Sequence, residues 1–177
     1  MKPNSLKIKF AGKRSFLSMS LILIFTVFSA FGQASKTNFS GTWNLNEGKS
    51  QLGEGPGRRA ASKIVITQDA NTLTAEKTST RQSGESFTST EKYNLDGDQS
   101  DNSGENRKRI STTSWSSDMK ELTINSTTTF ERNGNSMEMK SVEVYKLGSD
   151  GNSLVIETTS SSNRGEFKTS LYYDKAK

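Results

Sequence analysis

The chain has no cysteine and no histidine, only two prolines, and no apolar run long enough to cross a bilayer comfortably. Each absence excludes something. Without cysteine there is no disulfide, no thiol nucleophile and no lipidated anchor. Without histidine there is no Ser-His-Asp or Cys-His catalysis, no imidazole base and no ordinary zinc site. Helical periodicity is missing after residue 38, which also removes a glycine loop cradling phosphate ahead of a helix. A pair of carboxylates is the simplest catalytic apparatus left. Glu91 is the one acid on an expected inward face and has no evident partner acid, so the chain is read as a non-enzyme without a cofactor.

Charge is distributed unevenly. Lys2, Lys7, Lys9, Lys13 and Arg14 precede any acidic residue, and the apolar run LSMSLILIFTVFSA follows at 17–30. Small residues then close the segment, in Ala30-Phe31-Gly32-Gln33-Ala34. That order is the pattern of a secretory signal peptide, with cleavage expected after Gly32 or Ala34. Residues 1–34 are therefore read as a signal and 35–177 as one domain, exported to the periplasm or the medium, with no membrane span after cleavage. The whole chain has 24 basic and 19 acidic residues. Removing the five basic residues before Ser35 leaves 19 of each sign. A balanced domain has no basic footprint for nucleic acid.

The expected domain is polar. Of its 143 residues, 35 are apolar and 41 are Ser or Thr. What argues for order is spacing. Short alternating runs recur at 39–46, 63–68, 72–80, 87–95, 108–115, 121–130, 137–147, 153–161 and 167–174. Turn residues separate them, as in Arg132-Asn133-Gly134-Asn135 and Ser149-Asp150-Gly151-Asn152. The sequence therefore predicts an all-β, antiparallel up-and-down meander of eight or nine strands closing into a barrel. Two long connections interrupt it, 47–62 and 96–107. The second imitates the start of a calcium loop in Asp96-x-Asp98-x-Ser100. Asp101 stands where that loop needs glycine and Arg107 where it needs glutamate, so no metal site is assigned.

Alternation sorts the faces. One end of the barrel is expected to hold Trp115, Leu122, Ile124, Tyr145, Leu147, Leu154, Ile156, Leu171 and Tyr173. The other is expected to hold Leu73, Tyr93, Leu95, Ile110, Phe130, Met137 and Phe167. Between them lies a belt of Ser89, Thr112, Ser126, Thr128, Thr158 and Thr169, joined by Lys77 and Glu91. With Trp43 as a plug and Tyr93 beside the belt, these residues are the candidate lining of an interior site. Two readings stay open. The small belt residues leave a hydrated cavity, or the sheet forms a flattened, collapsed barrel or a sandwich in which they bond to each other and to the backbone. On strand 137–147, Met137 and Met139 share one parity, Val142 and Val144 the other. A β-bulge near Lys140-Ser141 would reconcile them, or both faces are partly covered.

The stretch Asn38-Phe39-Ser40-Gly41-Thr42-Trp43-Asn44-Leu45-Asn46 carries a resemblance. Its Gly-Thr-Trp resembles the Gly-x-Trp signature on the first strand of lipocalins, and the Gly-Thr-Trp start of avidin-type barrels. That resemblance implies an up-and-down barrel whose Trp closes the bottom, and a small-molecule binding role. The stretch, with Lys49-Ser50 and the loop Gly53 to Gly57, is also similar to secreted bacterial proteins that begin Gly-Thr-Trp-x-Leu-Asn. The lipocalin Thr-Asp-Tyr motif and C-terminal helix are missing, so no ligand contacts are carried over.

Two functions follow as expectations. One is an exported soluble barrel with a small molecule inside it. The alternative is a structural or interaction protein of the cell envelope, acting through an exposed patch of Met137, Met139, Val142 and Val144, its protein partner unspecified.

Overall fold

The computed structural model describes residues 35–52, 60–81, 83–132, 135–163 and 165–177. The expected signal, 1–34, lies outside the described residues, as do 53–59 of the first long loop. Among the described residues ten strands follow one another: β1 (Gly41–Leu45), β2 (Lys63–Gln68), β3 (Thr72–Thr80), β4 (Ser86–Asn94), β5 (Ser100–Asp101), β6 (Arg107–Trp115), β7 (Glu121–Arg132), β8 (Asn135–Leu147), β9 (Ser153–Ser162) and β10 (Gly165–Lys175). They make one sheet in the order β4-β3-β2-β1-β10-β9-β8-β7-β6-β5, antiparallel throughout. Nine of these strands match the nine expected ones within two residues. The tenth, β5, is a two-residue piece inside the 96–107 loop, too short and too polar to show as alternation.

The pairing of β1 with β10 rolls the meander on itself, and the two free edges then meet along a seam between β4 and β5–β6. No backbone ladder crosses this seam among the described residues. Side chains stitch it instead. The Lys92 amide donates to Asn102 Oδ1 at 2.8 Å and Asn102 Nδ2 donates back to the Lys92 carbonyl at 3.0 Å. The Asn94 amide donates to Ser100 Oγ at 2.8 Å, and the Thr113 hydroxyl donates to the Asn94 carbonyl. The loop that imitated a calcium site therefore serves as a fastener, its Asn and Ser standing in for missing backbone partners.

The apolar residues gather at one end. Trp43, Ile64, Ile66, Leu73, Ala75, Tyr93, Leu95, Leu122, Ile124, Tyr145, Leu154, Ile156 and Tyr173 form one buried cluster with Phe39 and Ala61. This corrects the expected division. Leu73, Tyr93 and Leu95 belong with the first group, because the β2–β3 turn lies at the Trp43 end: Gly41 pairs with Ile66, and Gln68 with Leu73. Ile110 belongs to neither end, since it faces outward.

Residues 35–40 cross beneath this cluster. Phe39 is wholly buried, its ring 6.0 Å from Trp115 in a stacked contact and 6.1 Å from Tyr145 edge-on. Trp43 Nε1 donates to the Phe39 carbonyl at 3.0 Å. Gly41 adopts φ +149°, a conformation other residues rarely take, and a Cβ there would crowd Lys175. Gly-Thr-Trp thus has a physical reason: the chain turns tightly at Gly41 and folds the indole into the barrel floor.

β8 needs no bulge. Its register with β7 runs unbroken from Glu121–Lys146 to Arg132–Asn135. Ser141, Glu143 and Tyr145 are buried on one parity, with Met137 and Met139 half-buried on it. Val142 and Val144 are on the other, Val142 being 39% exposed. The sheet divides the four expected patch residues between its two faces.

Trp43→Ala should lower stability by about 3–5 kcal/mol, read as a shift in the urea midpoint. Val142→Ala, on the outer face, should stay within about 0.5 kcal/mol. Equal effects from the two changes would show that the buried indole is no plug.

Candidate ligand-binding site

Directly above the apolar cluster the inward positions turn polar. β3 supplies Lys77 two residues after Ala75, β4 supplies Glu91 two residues before Tyr93, and β8 supplies Glu143 two residues before Tyr145. β6 supplies Arg109. The period of two that buries the apolar residues carries these four into the same layer. Lys77 Nζ lies 2.9 Å from Glu91 and 3.4 Å from Glu143. Arg109 reaches Glu143 at 2.7 Å and Glu91 at 3.3 Å. Each cation therefore touches both anions, and each anion both cations. The Tyr93 hydroxyl donates to Glu91 at 2.8 Å and the Tyr145 hydroxyl to Glu143 at 3.4 Å.

Burial of such groups is costly unless they are paired, and here the pairing wins. Burial pushes the Glu91 carboxyl up, but Lys77 and Arg109 outweigh that and hold it at about 2. Burial likewise opposes charge on Glu143, and the same two cations hold its carboxyl below the usual range. Burial opposes charge on Lys77, yet Glu143 leads the interactions that keep it protonated. Burial drives both tyrosine hydroxyls upward, so they remain donors.

Beyond this layer the inward positions of β7 and β8 are small hydroxyl residues. Ser111 and Ser126 share a hydrogen bond of 2.8 Å. Thr128 Oγ1 and Ser141 Oγ are buried with no hydrogen-bond partner. Further toward the β3–β4, β7–β8 and β9–β10 hairpins, the inward parity carries Phe87, Phe130, Met137, Met139 and Phe167. Phe87 and Phe167 are 41% and 38% exposed, and the other three are half-buried. They make an apolar rim at the end opposite Trp43.

The expected lining residues are distributed as follows. Lys77, Glu91 and Tyr93 meet in the ionic layer. Ser89 is half-buried on the same face of β4, and Ser126 and Thr128 are buried on β7. Thr158 and Thr169 are cross-strand partners on the inward parity of β9 and β10, both half-buried. Trp43 lies in the floor, on the far side of the ionic layer from the rim. Thr112 is a correction: it faces outward, lining a surface cleft of about 370 Å³ with Ile110 and Val142. Ile110, the one aliphatic residue on β6, suggests that even parity faces inward. The odd parity, with Arg109, Ser111 and Thr113, is the buried one because Glu91 and Glu143 need a cation. Arg109, Glu143 and Ser141 escaped sequence reasoning. The signal that could have found Arg109 was the unpaired Glu91, which demanded a cation.

No protein-family model and no curated protein matches the sequence. Among solved structures, the chain is similar to the crystal structure of zebrafish ileal bile acid-binding protein complexed with cholic acid. The TM-score is 0.51 at 18% identity, over 78% of this chain and 98% of that one. The likeness shows the fold alone, a nearly closed antiparallel β-barrel.

Glu91 links stability to pH. Its value in the folded chain, about 2, lies below the ordinary 4.5. Its contribution is therefore present above pH 4.5 and lost as pH falls toward 2, in total roughly 3 kcal/mol. Urea unfolding across that window should show stability falling with acid, and Glu91→Gln should flatten the fall. An unchanged slope in the variant would remove Glu91 from the ionic layer.

Proposed function

We propose that this barrel binds a small amphipathic molecule at the end opposite Trp43. The observation that carries the reading is the reversal of polarity along one inward face. An apolar rim of Phe87, Phe130, Met137, Met139 and Phe167 stands above buried hydroxyls and a fixed ionic layer. Such a gradient matches a guest with an apolar body and a polar end. Methionine suits a mouth, because its flexible thioether adapts to irregular shapes. The zebrafish protein of similar fold is complexed with cholic acid, which supports a small-molecule reading of this one. The reading takes the chain as exported, on the strength of the charged, apolar and small-residue order of residues 1–34. It assigns no catalysis, since the ionic layer's acids are tied to cations and offer no free base.

A titration with N-phenyl-1-naphthylamine, an uncharged fluorescent amphiphile, tests the proposal. Fluorescence should rise to saturation at one probe per chain. Phe130→Ser should weaken the probe by about tenfold, while Val142→Ser on the outer face leaves it unchanged. A linear, unsaturable rise, or equal effects of the two variants, would sink the interior site.

A further inference from the structure

The ionic layer also constrains which amphiphile the barrel accepts; this rests on the interior-binding reading above. Lys77 and Arg109 cancel Glu91 and Glu143, and every one of the four is engaged twice. Arg107, in register with Phe130 of the rim and 3.9 Å from Glu91, is a third cation, but its side chain is 36% exposed, where water and salt screen it. A carboxylate entering from the rim would therefore lose its hydration and meet two glutamates beside two occupied cations. Among the described residues, the buried side-chain polar atoms left without a hydrogen-bond partner are Arg109 Nε, Trp115 Nε1 and the Thr128 and Ser141 hydroxyls, three of the four on neutral groups. Thr128 is 1% exposed and Ser141 5%, and the hydroxyl of each lacks a hydrogen bond. Arg109 Nε also lacks one, but it faces the Glu91 carboxylate at 3.3 Å.

The two hydroxyls stand on adjacent strands of one wall. Thr128 is in register with Arg109 on one side and Met139 on the other, and Ser141 with Ser126. Both oxygens are shielded from solvent. Met139, beside Thr128 at the rim, is a flexible side chain that can re-aim without backbone movement. Each hydroxyl can donate and accept, and neither carries charge.

We infer that the barrel selects uncharged amphiphiles bearing a hydroxyl, carbonyl or amide at one end, that Thr128 and Ser141 bind that end, and that the balanced ionic layer turns carboxylates away.

Displacement of N-phenyl-1-naphthylamine by 1-decanol and by decanoate, at neutral pH, tests this. Decanol should compete about tenfold more strongly than decanoate. Because an alcohol is the more apolar of the two, the variants decide the cause. Glu91→Gln leaves the layer with a net positive charge and should strengthen decanoate by about tenfold with decanol unchanged. Glu143→Gln is the second charge variant should the first fail to fold. Thr128→Val with Ser141→Ala should weaken decanol more than decanoate. Decanoate equal to or better than decanol in the unaltered protein overturns the inference and leaves the interior site standing. A decanol preference that no variant moves also overturns it, since hydrophobicity alone then explains the preference. Failure of the fluorescent probe to bind at all overturns both readings.

Discussion

Among the described residues, the barrel closes across a seam that backbone hydrogen bonds do not cross, and the buried ion quartet spans it. Lys77 and Glu91 come from β3 and β4, at one end of the strand order. Arg109 and Glu143 come from β6 and β8, toward the other. The contacts Arg109–Glu91 and Lys77–Glu143 therefore join the two ends of the sheet through the lumen. A quartet of this kind is weak evidence of net stability, since well-packed apolar residues often do as well. Its role here is geometric. With one partner missing, a buried charge is left uncompensated, so the strands must come together in the single arrangement that pairs all four. The Asn102, Ser100 and Thr113 stitches finish outside what the ions begin inside.

This explains which parts of the fold were legible in the sequence. Alternation and turn chemistry are local, and they located nine strands and the all-β meander without error in type. The seam fastener β5 has no alternation to read. The faces were legible wherever an aliphatic residue marked them, as at Leu122 and Ile124 on β7 or Leu154 and Ile156 on β9. They were misread on β6, where the marker Ile110 points outward and the buried residue is an arginine. Burial of Arg109 is decided by Glu91 and Glu143, 18 and 34 positions away in the chain, so no local pattern reports it. The same distance effect made β8 look inconsistent. Its valines suggest one inward parity and its methionines the other, until Glu143 is recognised as an inward residue held by two cations.

The two halves of the barrel differ in what holds them. The floor is a single apolar cluster in which Phe39, Trp43, Trp115 and Tyr145 interlock, and the N-terminal segment is drawn beneath it by Gln68 and the Phe39 carbonyl. The rim half is Ser, Thr and half-exposed Phe and Met on long hairpins. Few apolar contacts and exposed backbone pairs put a region at the low end of the local stability range. That gradient suits a receptor: a rigid base keeps the ionic layer in register while the mouth adapts to its guest.

The layer between the halves then has two duties that pull against each other. Closure requires the four charges to satisfy one another, so none is spare for a guest. A barrel that used Arg109 to grip a carboxylate would have to release Glu143 or Glu91, and the released acid would be buried without a partner at a cost of several kcal/mol. Unless the guest repaid that in full, binding would loosen the seam it depends on. A guest that bonds only to Thr128 and Ser141 asks nothing of the quartet. With no disulfide available to hold the strands by other means, the economical solution is to leave the ions to the fold and the hydroxyls to the ligand.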